Sequence, residues 1–229
     1  MSDFPKALVF DLDGTLVDTA PDLTLVLNWL LLREGRQKVD ELSVRHMVGR
    51  GARNLILKGM SATGDVPDED ELSRLTRDFI AYYGEHIADS SLPFAGVTET
   101  LDHFRARGVV MGVCTNKPEG LSRQLLDALN LSQYFRAVLG GDSLAVKKPD
   151  PLHLLKTLEA MKNLPHEAVM VGDSISDVQA ARNAGVAIVG VSFGYTETPI
   201  RELNPDIVID QFADLPQALA RMLTGSASA

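Results

Sequence analysis

Cysteine is almost missing from this chain. Cys114 stands alone among 229 residues, which rules out an intramolecular disulfide and suits a reducing compartment. It lies inside the apolar run 109–114, where a small buried core residue is expected rather than a nucleophile. Aromatics are scarce as well, with a single tryptophan, Trp29. No apolar run reaches membrane-spanning length, and 25–32 is both too short and too interrupted. No basic segment followed by an apolar one is visible near Met1, so no secretory signal is expected and the location is read as cytoplasmic. The histidines (His46, His86, His103, His153, His166) show no metal-ligand spacing. Positive charge is short too: the net charge is −9 and no basic block occurs, which argues against nucleic acid or an acidic membrane as partner. An anionic substrate would therefore need a local positive site.

What is present begins with residues 6–17, KALVFDLDGTLV. Ala7, Leu8, Val9 and Phe10 form a short, wholly apolar run of the kind that fills the middle of a parallel sheet. It stops abruptly at Asp11, Leu12, Asp13, Gly14 and Thr15. Ligands bind at the carboxyl ends of strands in open α/β sheets, so two carboxylates stand where such a fold keeps its chemistry. Side chains alternate along an extended chain, so Asp11 and Asp13 can face one cavity while Leu12 turns into the core. Two acids this close repel each other unless a proton or a cation intervenes, and a hard oxygen-seeking ion such as Mg²⁺ is the simplest resolution.

The rest of the chain divides in two. Helical spacing follows Pro21 (Leu23, Val26, Leu27, Leu30, Leu31), with Gly35 at the expected end; further helices are expected at 41–48, 52–60 and 68–86. No strand is expected there, so residues 18–88 read as an all-helical insert. After residue 93 helices and strands alternate strictly. Strands are expected at 109–114, 137–139, 168–171, 186–191 and 207–209. Helices fall between them, and a last one at 213–223 closes the chain. Such alternation indicates a doubly wound parallel sheet. The expected architecture is therefore α/β, a Rossmann-like core of residues 1–17 and 89–229 carrying a helical cap of 18–88. Residues 224–229 are small and polar, and are expected to be disordered.

Three later strands also end in polar residues. Thr115 and Asn116 follow 109–114 and precede a helix, where a hydroxyl, an amide and free N–H groups can hold phosphate oxygens; ordinary helix capping gives the same pattern. Lys147 and Lys148 precede the helix at 151, and an ammonium there would offset carboxylate repulsion, although surface lysine pairs are common. Asp173 and Asp177 follow 168–171, four residues apart on one helical face, where they could complete a metal site or simply cap the helix.

Taken together, DLDGTLV, the Thr115–Asn116 turn, the K-P-x-P segment at Lys148 and G-D-x-x-x-D at Asp173 resemble the four motifs of the haloacid dehalogenase superfamily, in family order. They resemble its aspartate-nucleophile phosphatase branch, since dehalogenases proper lack the second aspartate. The resemblance implies a type 1 cap acting as a mobile lid over the site. It implies that Asp11 attacks phosphorus while Asp13 serves as general acid and then base. Mg²⁺ would be held by Asp11, Asp173 and the main-chain carbonyl of Asp13, with Asp177 behind. Thr115, Asn116 and Lys148 would hold the transferring group. DTAPDL, the 48–52 loop and VGDSISDVQAARNAG resemble bacterial phosphoglycolate phosphatases, implying hydrolysis of 2-phosphoglycolate by a monomer or homodimer. Arg50 and Arg53, flanking the cap loop, are candidates for the substrate carboxylate, although exposed arginines on a helical cap would look the same. Competing expectations are a phosphatase for a sugar phosphate or pyrophosphate, a β-phosphoglucomutase-like transferase, and a non-enzymatic phospho-acceptor signalling domain. The last places its acceptor aspartate after the third strand and has no helical insert.

Overall fold

Ala7–Phe10 (β1) is completely buried, and the computed structural model, which describes residues 4–195 and 197–225, places it in the middle of a six-stranded parallel sheet. The other strands are Val110–Cys114 (β4), Ala137–Leu139 (β5), Ala168–Gly172 (β6), Ala187–Val191 (β7) and Ile207–Ile209 (β8), in spatial order β5-β4-β1-β6-β7-β8. Both faces are covered. Leu8 and Phe10 pack with Val113, Val171 and Val189 on one side, while Ala7 and Val9 join Cys114, Met170 and Ile188 on the other. The chain works outward from β1 to one edge through β4 and β5, then to the other through β6, β7 and β8. This is the reversal of strand order at which such sheets open a crevice, here between β1 and β6.

Helices follow from the strands. Val97–Ala106 (α5), Glu119–Ala128 (α6) and Leu215–Gly225 (α9) cover the Phe10 face; Pro151–Met161 (α7) and Ile175–Ala184 (α8) cover the Val9 face. Between Asp18 and Leu92 lie Ala20–Arg33 (α1), Glu41–Arg45 (α2), Ala52–Thr63 (α3) and Glu69–Glu85 (α4), which pack on one another. Asp40 and Asp68 accept hydrogen bonds from Ser43 N and Glu71 N and so start α2 and α4. Leu27, Leu30, Ile56, Leu75 and Phe79 close the space between these helices.

Three expectations need correction. Val17–Asp18 (β2) pairs antiparallel with Leu92–Pro93 (β3), so the helical segment is entered and left through a two-stranded ribbon where no strand was expected. Each piece is two residues long and exists only through a partner about 75 positions away, which leaves no local periodicity to read. The α2 helix stops at Arg45, not at 48, because the chain turns at Met47, whose N–H reaches Val44 O, before the left-handed Gly49. Thr224 and Gly225 belong to α9; the remainder of the expected disordered tail, 226–229, lies outside the described residues.

Candidate active site

In-register pairing aligns Phe10 with Val113 and with Val171, and β4 and β6 run one residue past β1, to Cys114 and Gly172. Asp11, Thr115 and Asp173 therefore emerge side by side from three strand tips. Gly14 makes the turn after β1 possible. Its φ is +83°, and a Cβ there would lie 2.6 Å from Asp173 Oδ2. Asp173 is fixed in turn: Oδ1 accepts from Thr15 Oγ1 at 3.0 Å and Oδ2 from Tyr195 N at 2.7 Å.

The alternation that points Val9 toward α7 and α8 points Asp11 the same way, and two side chains meet it there. Lys148, just ahead of α7, places Nζ 3.0 Å from Asp11 Oδ1 and 2.6 Å from Asp177 Oδ1. Asp177, in the first turn of α8, accepts at Oδ2 from Ser174 N at 3.0 Å and Ser174 Oγ at 2.6 Å. Both Asp177 oxygens are thus engaged. Asp11 Oδ1 also accepts from Leu12 N at 2.7 Å, whereas Oδ2 has no hydrogen-bond partner among the described residues.

Charge is unbalanced in this cluster. Asp11, Asp173 and Asp177 are buried and bring carboxylate oxygens within 4.8 Å of one another, against one ammonium. Burial pushes the Asp11 carboxyl up to about 6; Lys148 opposes the rise and Asp177 adds to it. Burial, with Asp177 and Asp11 as neighbours, pushes Asp173 up to about 8. Burial works against the Lys148 ammonium, but Asp11 and Asp177 outweigh it and hold its pKa well above that of an ordinary lysine. Surplus buried negative charge carried by hard oxygen donors fits a divalent cation such as Mg²⁺. Asp177 is committed to the Lys148 ammonium and to two Ser174 donors, whereas Asp173 accepts only one neutral donor at each oxygen and Asp11 keeps Oδ2 unpaired among the described residues, so Asp11 and Asp173 are the better fitted to hold the cation.

Asp13 lies on the other side of Leu12 and faces the cap. Its Oδ1 accepts from Lys117 Nζ at 3.0 Å, and that Nζ also donates to Tyr83 Oη of α4 at 2.7 Å. Lys117, next to Thr115 and Asn116 in the chain, escaped sequence reading because lysine before a helix carries no distinctive pattern. Its 5% exposure sets it apart from a surface lysine. Asn116 Nδ2 donates to Gly49 O and to Lys148 O, both at 3.0 Å, tying the cap loop to the lysine loop. Gly51 lets that loop approach: its φ is +87°, and a Cβ would come within 2.9 Å of Asn116 O.

Asp11, Asp13, Thr115, Asn116, Lys117 and Tyr83 share one cavity, which apolar side chains of α1, α3 and α4 close from above. Arg50 and Arg53 do not line it. Arg50 is exposed and opens onto a neighbouring surface groove with Lys147 and Gln179, while Arg53 pairs with Glu69 at 2.5 Å near the surface. The buried thiol of Cys114 is pushed up to about 12 by burial, in keeping with a core residue.

Buried carboxylates gathered around a lysine at the switch point of a doubly wound sheet form a site suited to an anionic ligand. Comparison with known proteins makes the class specific: the haloacid dehalogenase-like hydrolase family matches residues 8–191, and this chain belongs to that family. The phosphoglycolate phosphatase of Caulobacter vibrioides is 47% identical over 217 residues, 95% of this chain and 92% of the relative. That of Agrobacterium fabrum is 43% identical over 221 residues, 96% and 95% of the two chains. A crystal structure described as a predicted phosphoglycolate phosphatase from Haemophilus somnus superimposes with a TM-score of 0.89 at 35% identity, covering 95% of this chain and 99% of the other. The protein is an enzyme, a phosphoric monoester hydrolase similar to phosphoglycolate phosphatases. No helix among the described residues is long and apolar enough to cross a membrane.

Proposed function

We propose that the protein hydrolyses 2-phosphoglycolate to glycolate and phosphate through an aspartyl-phosphate on Asp11, as a Mg²⁺-dependent cytoplasmic enzyme. The observation that carries the mechanism is Asp11 itself, a residue lining the cavity, with Oδ1 held by Leu12 N and Lys148 and Oδ2 without a hydrogen-bond partner among the described residues. A nucleophile needs this fixed orientation together with one free lone pair. Mg²⁺ bound by the Asp11 and Asp173 carboxylates and the main-chain carbonyl of Asp13 would neutralise phosphoryl charge and keep Asp11 ionised.

Asp11 Oδ2 forms the bond to phosphorus as the ester P–O bond breaks in line. Asp13, two residues on and facing the same cavity, passes a proton from Oδ2 to the leaving alkoxide. It then takes a proton from the water that attacks the aspartyl-phosphate, freeing phosphate and restoring Asp11. Lys148 and the Thr115 hydroxyl offset charge on the transferring oxygens, and Asp177 holds Lys148 in place. Asn116 donates both Nδ2 hydrogens, to Gly49 O and Lys148 O, and so keeps the cap loop docked beside the phosphoryl site; its buried Oδ1 only accepts and does not hold phosphoryl oxygens.

The partly open cavity leaves little free space around its lining, so we take binding of an ester to require cap opening and re-closure. We assign that movement to residues 18–88 on the 1–17 and 89–229 core, pivoting at the β2–β3 ribbon. Asp22 anchors the pivot by accepting from Ser90 N, Ser91 N and Ser91 Oγ. Phosphate release from a panel of small esters, with and without Mg²⁺, tests this reading. Preference for 2-phosphoglycolate supports it; preference for a sugar phosphate or pyrophosphate, or transfer between sugars without phosphate release, replaces it.

A further inference from the structure

The substrate assigned above carries two anionic ends, and the cluster around Lys148 accounts only for the phosphoryl end. The other end is a carboxylate, and the chemistry fixes where it must go. Asp13 must come within hydrogen-bond reach of the ester oxygen that leaves, about 2.6–3.2 Å. The carboxylate carbon of 2-phosphoglycolate is two bonds beyond that oxygen. Any cation that recognises it must therefore stand immediately beside Asp13.

One does. Lys117 Nζ lies 3.0 Å from Asp13 Oδ1, and Lys117 is the only cationic side chain among the described residues lining the cavity. Tyr83 holds the ammonium from the cap side twice over, by its hydroxyl at 2.7 Å and by its ring, whose centroid is 4.3 Å from Nζ. An ammonium has three hydrogens to donate; Asp13 and Tyr83 take two, and no described residue takes the third. Around it, Leu23, Leu55, Phe79 and Leu121 make the setting apolar, where an ion pair is stronger than in water. Arg50 and Arg53 point elsewhere, as described above.

We infer that Lys117 is the specificity-determining residue that receives the substrate carboxylate, with Tyr83 as the positioning residue that holds the ammonium in place when the cap is closed. This rests on the 2-phosphoglycolate reading. It also couples recognition to closure, because Tyr83 reaches Lys117 only while α4 covers the cavity.

The test compares 2-phosphoglycolate with ethyl phosphate, which has a methyl group where the carboxylate would be. In Lys117→Met, kcat/KM for 2-phosphoglycolate should fall by about 50-fold more than for ethyl phosphate, mostly through KM. Lys117→Arg should keep part of the discrimination. Tyr83→Phe, which retains the ring, should reduce it by about fivefold, again in KM. Equal losses on both esters in folded Lys117→Met would make Lys117 structural and overturn the assignment. If circular dichroism shows that Lys117→Met does not fold, Tyr83→Phe decides, and unchanged discrimination in that variant overturns it. A wild-type enzyme that does not prefer 2-phosphoglycolate over ethyl phosphate would defeat the substrate reading and this role together. A wild-type preference that survives Lys117→Met would defeat this role alone.

Discussion

Two buried lysines, Lys148 and Lys117, stand on opposite sides of the Asp11–Leu12–Asp13 turn, and they are held in different ways. Lys148 lies entirely within the core, between Asp11 and Asp177. Lys117 is held half by the core, at Asp13, and half by the cap, at Tyr83. The first arrangement involves no cap residue, as the proposed phosphoryl chemistry common to all substrates would require. The second spans core and cap, so in the proposed mechanism it would form on cap closure and read the part of the substrate that differs. If the cap moves as proposed, specificity placed on it would commit the enzyme to the correct substrate as the cap closes.

The sharpest break in this comparison is Asp11→Asn. It should abolish phosphate release from every ester, by more than about 10³-fold, while circular dichroism and melting temperature stay close to wild type. Residual turnover at a tenth of wild type would remove Asp11 as nucleophile and leave the core lysine without its assigned function.

Lys148→Met comes next. It strands two buried carboxylates at once, so loss of about 3–5 kcal/mol in denaturant unfolding is expected, with activity lost on all esters alike. Non-selective loss here against selective loss at Lys117 is the contrast at issue. If Lys148→Met discriminated between esters, the division of labour would be wrong.

A third measurement uses pH. Asp11 and Asp173 have folded-state pKa values raised to about 6 and about 8, above the ordinary carboxyl value of 3.8. A raised carboxyl pKa means that the folded state binds more protons than the unfolded state. The contribution is therefore full below about pH 4 and disappears as pH rises through the folded values. Chelator-treated protein should melt several degrees lower at about pH 8.5 than at about pH 6.5, and Mg²⁺ should restore most at the higher pH. Asp173→Asn should flatten the chelated profile. A melting temperature independent of pH and Mg²⁺ would deny the cluster its cation.

The smallest effects belong at the cap surface. Arg53→Ala removes an exposed pair with Glu69 and should cost about 0.5 kcal/mol or less, and KM for either ester should move by less than about twofold. Arg50→Ala should behave similarly. A selective rise in KM for 2-phosphoglycolate in either variant would transfer the carboxylate from Lys117 to the rim.

Asp11, Asp13 and Asp173 could be picked out in the sequence because each follows an apolar segment whose structure the local pattern dictates, whereas Lys148 was singled out only by its resemblance to the K-P-x-P motif. A buried strand that ends in carboxylates has few other uses, and the sheet's parallel order brings those ends together. The cap was legible as helices for the same reason: Leu27, Leu30, Leu75 and Phe79 recur at the spacing of one face. What local pattern could not supply was the pairing between distant pieces. The β2–β3 ribbon joins Val17 to Pro93, and the Lys117 ammonium meets a tyrosine 34 residues earlier, on α4.

The sequence by itself determined the doubly wound core, the helical segment within it and the strand-tip acids, since these follow from hydrophobic period and from where each period stops. Only the tertiary structure decided which cations are buried beside the strand-tip acids. Arg50, Arg53, Lys117 and Lys148 are equally charged in the sequence, and what separates them is burial and the partners that folding brings within 3 Å, neither of which is a property of neighbouring residues.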